Sequence, residues 1–303
     1  MNKEPTTVER LGFDRDSRVV AIHADDVGMC QATVTAYRDL VNDGLLSSAS
    51  VMVPCPWFRA IAELCRSGPE LDMGLHLTLT SEWHSCRWAP LSPADEKSGL
   101  VDAEGYFPRT RQLLHASVQP GPARQEMQTQ LRRARDAGIA LTHIDSHMFT
   151  VFHSKLFDAY VELGMENGLC PVIAVRGDRP LEWDDPDEVE TGRRVLEHAR
   201  QRGLPTVDHV VFPNLVRGSE GLRKAKAIFE GLAPGLTHLM IHPAADTPEI
   251  RAITPQWPSR VAEYEVFMQA ELREYVEASD VHVIGYRELS EVMNRFDHDR
   301  SDA

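Results

Sequence analysis

Short runs of apolar and β-branched residues alternate along the chain with amphipathic stretches of helical periodicity. Each apolar run has the length of a buried strand, and Gly or Pro often marks its boundary. The pattern predicts strands at residues 18–24, 48–53, 71–77, 141–147, 172–176, 209–212, 237–242 and 281–286. It predicts helices at residues 31–42, 57–66, 123–136, 154–167, 187–202, 219–232, 260–278 and 287–295.

About eight strand–helix units in succession predict a parallel sheet with helical crossovers. At this length the pattern favours one α/β domain over residues 17–303, built as a single (β/α) barrel. The barrel is expected to be TIM-like, or distorted with seven or eight strands. An open doubly wound sheet is the alternative, but no GxGxxG motif follows the first strand. Residues 1–16 are polar and are expected to form a flexible arm.

Residues 81–118 interrupt this rhythm. They carry Trp83, Trp88, Tyr106 and Phe107 among prolines, glycines and charged residues, with little periodicity. Long irregular segments are usually functional or disordered, and aromatic residues argue against disorder. We therefore expect an ordered insertion that acts as a lid near the functional site.

Composition narrows the function more by exclusion than by direct indication. The chain of 303 residues has a net charge of −14, which argues against nucleic-acid binding and against an anionic membrane surface. The five cysteines contain no CxxC pair and are expected to be reduced thiols. No signal peptide or membrane-spanning stretch is recognisable, so a cytoplasmic protein is expected.

Ionisable residues recur where the predicted strands end. In a parallel barrel these carboxyl ends meet at one face, where active sites lie. Alternation along a strand also places the three ionisable residues of the 141–147 run on one face, lining a polar cavity. The candidates are Asp25, Asp26, His76, His143, Asp145, His147, Arg176 and His242.

This set of residue types suits a metal centre. One carboxylate with two imidazoles is a common ligand set for a catalytic metal, and a cation would relieve the repulsion between Asp25 and Asp26. A bound imidazole also needs an acceptor for its other nitrogen, which Asp145 or the second aspartate can provide. Each residue alone has a simpler structural interpretation, since aspartates cap helices and lone histidines pack in cores. Their recurrence at successive strand ends favours the metal site.

Five motifs resemble those of the YdjC-like carbohydrate deacetylases, in order over residues 18–292. They are ADDVG at 24–28, DGLLSSAS at 43–50, GLH at 74–76, THIDSH at 142–147 and HP at 242–243. The resemblance implies a (β/α) barrel with one divalent metal ion, held by Asp26, His76 and His147. It further implies Asp25 as general base and His242 as general acid. Arg176 and Arg260 match positions that line the substrate pocket, and we expect His143 and Asp145 beside them.

One departure from the family pattern concerns the segment after His147. The family often continues with further histidines, as in HxHxH, whereas this chain has Phe149 and Val151. The substrate preference of other members therefore does not transfer directly.

The sequence thus predicts a metal-dependent hydrolase that removes an N-acetyl group from an amino sugar, an oligosaccharide or a related glycolipid. Zinc suits the imidazoles and magnesium suits the carboxylate, so either metal fits. The alternatives are a metal-dependent lyase or isomerase of a small sugar, for which a strand-end lysine is missing, and a carbohydrate-binding protein with a vestigial site. The sequence does not determine the oligomeric state; barrels of this type are often dimers, so a homodimer is one possibility.

Overall fold

The predicted alternation of strands and helices is present in the computed structural model, which describes residues 5–68, 72–176, 179–180 and 186–301. The strands are β1 Arg18–Val27, β2 Ser48–Val51, β3 Met73–Leu77, β4 Leu141–Ser146, β5 Cys170–Pro171, β6 Val175–Arg176, β7 Arg179–Pro180, β8 His209–Val211, β9 Gly235–Ile241 and β10 Val281–Ile284. The helices are α1 Thr7–Arg10, α2 Gln31–Asp43, α3 Phe58–Ser67, α4 Arg111–Ser117, α5 Pro120–Asp136, α6 Phe157–Glu166, α7 Pro186–Gln201, α8 Ser219–Glu230, α9 Pro248–Ile253, α10 Trp257–Phe267, α11 Ala270–Glu277 and α12 Tyr286–Ser301. Two 3₁₀ turns lie at Glu96–Ser98 and His147–Phe149.

Seven parallel strands form a curled sheet in the order β5-β4-β3-β2-β1-β9-β8, flanked by helices. β10 pairs with the first half of β1, beneath β2, which pairs with the second half. Within the described residues, one isolated bridge, Ala174↔Val207, joins the segments next to the two edge strands. The fold is therefore a barrel-like α/β fold of the distorted, seven-stranded kind rather than a regular eight-stranded barrel.

The main difference between the predicted and the observed sheet lies at residues 172–176, where one strand was predicted. Pairing with β4 stops after Pro171, and β6 turns away to pair with β7 in antiparallel orientation. The Val172 N–H still donates to the carbonyl of Ile144 at 2.9 Å, after which residues 173–175 exchange hydrogen bonds with Val207 next to the opposite edge of the sheet. The predicted helix at 260–278 is likewise divided, into α10 and α11, and α9 precedes it without having been predicted.

Strand β1 shows how the sequence divides the interior. Val20, Ile22 and Ala24 belong to the large apolar core, whereas Val19 and Ala21 belong to a second, smaller apolar cluster. Successive side chains on a strand point to opposite faces, so His23 and Asp25 continue the row that begins with Val19 and Ala21. This face is consequently apolar near the start of the strand and polar near its carboxyl end, where the cavity lies.

The N-terminal segment is more ordered than expected. Residues 7–10 form α1, which begins with a capping box between Thr6 and Glu9. Val8 is 1% exposed, and the Thr7 hydroxyl donates to the carbonyl of Thr206. Burial of Val8 fixes this segment against the domain, so the expectation of a flexible arm is wrong for these residues.

The insertion at residues 81–118 is ordered, as expected. Trp88 and Phe107 are buried in the main core. The Glu126 carboxylate of α5 accepts hydrogen bonds from the backbone N–H groups of Leu91 and Ser92, which fastens the insertion to the scaffold. None of the helices in the described ranges combines the length and apolar character that crossing a bilayer requires.

Candidate metal centre and active site

A cavity of about 430 Å³ opens at the carboxyl ends of the strands. Asp25 and Asp26 of β1, His76 of β3 and His147 after β4 line it, together with residues from β9 and α10. With His242, which follows β9, five of the residues predicted from strand ends therefore meet in one place. No lysine is present among the described residues that line this cavity, which agrees poorly with the lyase or isomerase alternative.

Both aspartates of the ADDVG motif face this cavity, although neighbouring side chains on a regular strand point to opposite faces. Two backbone features account for this. Asp26 has a φ of 59°, in the left-handed region, and the register between β1 and β2 shifts between Ala24 and Val27. The irregularity turns the Asp26 side chain towards the same side as Asp25. Strained backbone of this kind is concentrated at functional sites.

Asp26, His76 and His147 form a compact buried group. Asp26 Oδ1 lies 3.0 Å from His147 Nδ1 and 3.5 Å from His76 Nε2. The three potential ligand atoms lie within 4.8 Å of one another, and all three residues are buried. The predicted ligand set is thus assembled in space, with one carboxylate and two imidazoles.

The chemistry of this group fits a divalent cation. Within the described part of the chain, Asp26 Oδ1 and Asp25 Oδ1 are buried without a well-formed hydrogen bond, although the ring nitrogens His147 Nδ1 and His23 Nε2 lie 3.0 and 3.3 Å away. Burial alone would lower the pKa of His147, but the charges of Glu82 and Asp26 outweigh it and raise the pKa to about 9. The carboxylates around the group therefore attract positive charge, which a divalent cation can supply in place of ring protons. One carboxylate and two imidazoles suit zinc, and the carboxylate also suits magnesium.

Asp145 lies behind the group rather than on the main cavity wall. Its Oδ1 is 2.9 Å from His76 Nδ1, and its Oδ2 accepts from the Ser50 hydroxyl at 2.8 Å. His23 Nε2 approaches the same Oδ2 at 3.1 Å. Asp145 thus supports a histidine, as the sequence allowed, and the structure offers it no direct place in a substrate subsite.

His143 is also placed differently from the expected substrate-binding position. The ring is fully buried, stacks on Tyr286 at 4.3 Å between centroids, and contacts the Thr142 hydroxyl through Nδ1. It packs against Gly74, where a Cβ would come 2.3 Å from His143 Nε2. Because β4 places this side chain deep inside the barrel, below Asp145, it does not line the main cavity.

Asp25 and His242 face each other across the cavity. Asp25 Oδ2 is 4.0 Å from His242 Nε2 and 3.9 Å from His76 Nε2. Burial raises the pKa of Asp25 well above its usual value. The His242 side chain is 31% exposed at the cavity wall, and desolvation lowers its pKa, so the ring is neutral at pH 7.

Arg260 of α10 is buried beside Asp26. Its Nη2 donates to Asp26 Oδ2 at 2.7 Å, whereas Nε and Nη1 are buried and have no hydrogen-bond partner among the described residues. Burial alone would raise the pKa of Asp26, but the charge of Arg260 outweighs it and holds that pKa well below its usual value. The predicted placement of Arg260 on the pocket wall agrees with the structure. The side chain of Arg176 lies outside the described residues.

Two acidic residues of the cavity were missed by the sequence analysis. Glu82, in the insertion, lies 3.0 Å from His147 Nε2. Glu263, on α10, accepts from the backbone N–H of His242 at 2.7 Å, and burial raises its pKa to about 7. No local signal marks Glu82, since its segment lacks periodicity. Glu263 follows Arg260 by one helical turn, which was the available indication.

The apolar part of the cavity wall comes from three separate segments. Trp83 of the insertion, Met148 and Phe212 all line the cavity, and the latter two are 48% and 43% exposed. Of the residues that replace family histidines, Val151 is fully buried and Phe149 packs against Phe152 and Phe212. These positions therefore contribute packing beneath the rim instead of polar groups.

The fold and this site define a barrel-like α/β protein with a buried Asp/His centre at the strand ends. The family model described as YdjC-like protein matches residues 19–278. The chain belongs to this family. It is 31% identical to a carbohydrate deacetylase of Thermus thermophilus over 94% of this chain and 98% of that protein. A carbohydrate deacetylase of Thermoanaerobacter pseudethanolicus is 25% identical over 89% of this chain and 98% of its own length.

A solved structure supports the same fold. It is that of a proposed cellobiose-phosphate cleavage protein from Enterococcus faecalis, with a TM-score of 0.73 and 22% identity. The match covers 90% of this chain and 99% of the other. At this level of identity the likeness concerns the fold alone.

Proposed function

We propose that this protein is a metal-dependent carbohydrate deacetylase that hydrolyses an N-acetyl group on an amino sugar or oligosaccharide. The observation that carries the proposal is the buried group of Asp26, His76 and His147, with the buried Asp25 carboxylate beside it in one cavity. Membership of the YdjC-like family and relatives named carbohydrate deacetylase support the reaction class. A divalent cation held by Asp26, His76 and His147 supplies Lewis acidity, which acidifies water and polarises an acyl carbonyl.

Asp25 is the general base in this proposal. Among the described residues its Oδ1 accepts no hydrogen bond, with His23 Nε2 nearby at 3.3 Å, and it can accept a proton from the attacking water. Its desolvated environment strengthens the carboxylate as a proton acceptor, since burial raises its pKa.

His242 delivers the proton to the departing amine. Desolvation lowers the pKa of the ring, so His242 is neutral before the reaction. It therefore holds the proton that Asp25 has taken up only transiently and passes it on to the more basic departing amine. Asp25 Oδ2 and His242 Nε2 are 4.0 Å apart, so a small side-chain movement completes the transfer. Glu263 holds the backbone of His242 in place at this point.

The remaining cavity residues bind and orient the substrate. The unpartnered Nε and Nη1 groups of Arg260 are buried donors that a substrate oxygen can satisfy. Trp83, Met148 and Phe212 provide an apolar surface on which the less polar face of a sugar ring can pack. Arg176 remains a proposed pocket residue on the basis of the family resemblance.

Acetate release from a panel of N-acetylglucosamine oligomers, with and without a chelator, tests this function. We expect release that stops on chelation and returns when zinc or magnesium is added. Binding of the oligomers without any acetate release indicates a carbohydrate-binding protein instead. Metal-dependent conversion of a small sugar without acetate release indicates a lyase or an isomerase.

A further inference from the structure

The two histidines of the candidate metal centre face Asp26 through different ring nitrogens. His76 turns Nδ1 towards Asp145 and Nε2 towards Asp26. His147 turns Nδ1 towards Asp26 and Nε2 towards the Glu82 carboxylate. Each ring therefore lies between Asp26 and a second carboxylate, but the roles of the two nitrogens are exchanged.

The contact between Glu82 and His147 fixes which nitrogen carries a proton. Both Glu82 oxygens approach His147 Nε2, at 3.0 and 3.1 Å, and an ionised carboxylate can only accept a hydrogen bond. Nδ1 faces the Asp26 carboxylate at 3.0 Å, so a cation bound beside Asp26 replaces the proton on Nδ1, and the proton on Nε2 remains to be accepted by Glu82. The same argument applied to the Asp145–His76 contact leaves the Nε2 lone pair of His76 facing Asp26.

The backbone around Glu82 is itself fixed. Ser81 N–H donates to the carbonyl of Pro108 at 2.9 Å, and Arg109 donates to the carbonyl of Trp83 at 3.1 Å. Glu82 is 14% exposed, and His147 is its hydrogen-bonding partner within the described part of the chain. This carboxylate is thus held by its own segment in a position that serves the ring.

We propose that Glu82 is a positioning residue, which makes His147 bind the metal ion through Nδ1 while His76 binds through Nε2. The insertion thereby supplies a necessary support of the metal centre, in addition to covering the cavity. This inference rests on the metal centre of the proposed function but not on the identity of the reaction.

The side chain at position 82 can be varied at nearly constant size. Glu82→Met removes the acceptor, whereas Glu82→Gln keeps an amide oxygen that can accept from Nε2–H. For metal-free protein titrated with Zn²⁺ alone, we expect Glu82→Met to weaken affinity about 10- to 100-fold. Glu82→Gln should recover most of the loss. Glu96→Met, an exposed change within the same insertion, is the matched control and should bind Zn²⁺ as the unaltered protein does.

Long-range ¹⁵N–¹H spectra of the zinc-loaded, unaltered protein give a direct readout that a merely structural role of Glu82 would not produce. We expect one coordinated ring to be protonated on Nδ1 and the other on Nε2. In Glu82→Gln, the ring that is protonated on Nε2 and coordinated through Nδ1 should still be observed. Two rings coordinated through the same nitrogen, or unaltered Zn²⁺ affinity in Glu82→Met, would overturn the inference. If the spectra and affinities are as expected but no oligomer releases acetate, the inference stands and the proposed reaction fails.

Discussion

The strand ends and the insertion at residues 81–118 contribute to the same cavity by different means. The strand ends contribute Asp25 and Asp26 from β1, His76 from β3 and His147 directly after β4. The register of the sheet fixes the position of each residue. The insertion contributes Glu82 and Trp83 from irregular backbone that is fastened to the scaffold by hydrogen bonds. The comparison suggests a division of labour, in which the scaffold carries the reacting groups and the insertion supports and selects.

Removing a scaffold ligand should have the largest effect. Asp26→Ala deletes the carboxylate that faces both imidazoles and leaves Arg260 buried without its anionic partner. We expect acetate release to fall to background and the bound metal to be lost. The unpaired guanidinium should also lower the free energy of unfolding by about 3–5 kcal/mol. Metal content and denaturant unfolding measure these effects, and a variant that retains a full equivalent of metal would contradict the ligand assignment.

Replacing the neighbouring carboxylate should separate chemistry from metal binding. Asp25→Asn keeps the shape of the side chain but cannot accept the proton of the attacking water. We expect kcat to fall about 10²- to 10⁴-fold with the metal retained. Near-full turnover in this variant would remove Asp25 from the role of base and would place that role elsewhere in the cavity.

The third prediction concerns the pH dependence of stability that Glu263, a residue missed by the sequence analysis, should cause. Burial raises its pKa from the ordinary 4.5 to about 7, so the folded protein holds this proton more tightly than the unfolded chain does. Its contribution to stability is therefore greatest below pH 4.5 and is lost as the pH rises to about 7. The loss amounts to about 3 kcal/mol. We expect Glu263→Gln to lack this component of the pH dependence, and parallel profiles for the two proteins would contradict the assignment.

The smallest effect is expected for the substrate-facing side chain of the insertion. Trp83→Ala removes an aromatic surface from the cavity wall but none of the reacting groups. We expect KM to rise roughly tenfold, equivalent to about 1.4 kcal/mol of lost stacking, with kcat little changed. Steady-state kinetics on the most reactive oligomer measure this. A fall in kcat alone would show that the insertion takes part in the chemistry.

The sequence predicted the scaffold half of the site well, because strand ends of a parallel sheet meet at one face. That rule placed the strand-end candidates at one face, whereas the choice of Asp26, His76 and His147 as one ligand set came from the family resemblance, and their sharing of one metal ion remains a prediction. Glu82 could not be predicted in the same way, since its position depends on hydrogen bonds from distant residues. His143 was misplaced because alternation gives the face of a strand but not the depth inside the barrel.

The overall architecture was also predictable, and its main exception in the sheet lies at one edge. Alternating apolar runs indicated the parallel order of strands, and the regular eight-stranded closure failed at β5. Directly after β5 the chain exchanges its pairing with β4 for a bridge to Val207, and β6 then pairs with β7. Such local exits depend on competing pairings that periodicity does not record.

The contact between Gly74 and His143 explains the glycine of the GLH motif. Only a residue without a side chain leaves room for the imidazole that projects from the neighbouring strand. The two positions therefore constrain each other during evolution: a larger residue at 74 requires a smaller one at 143. Related chains should exchange both residues together or neither of them.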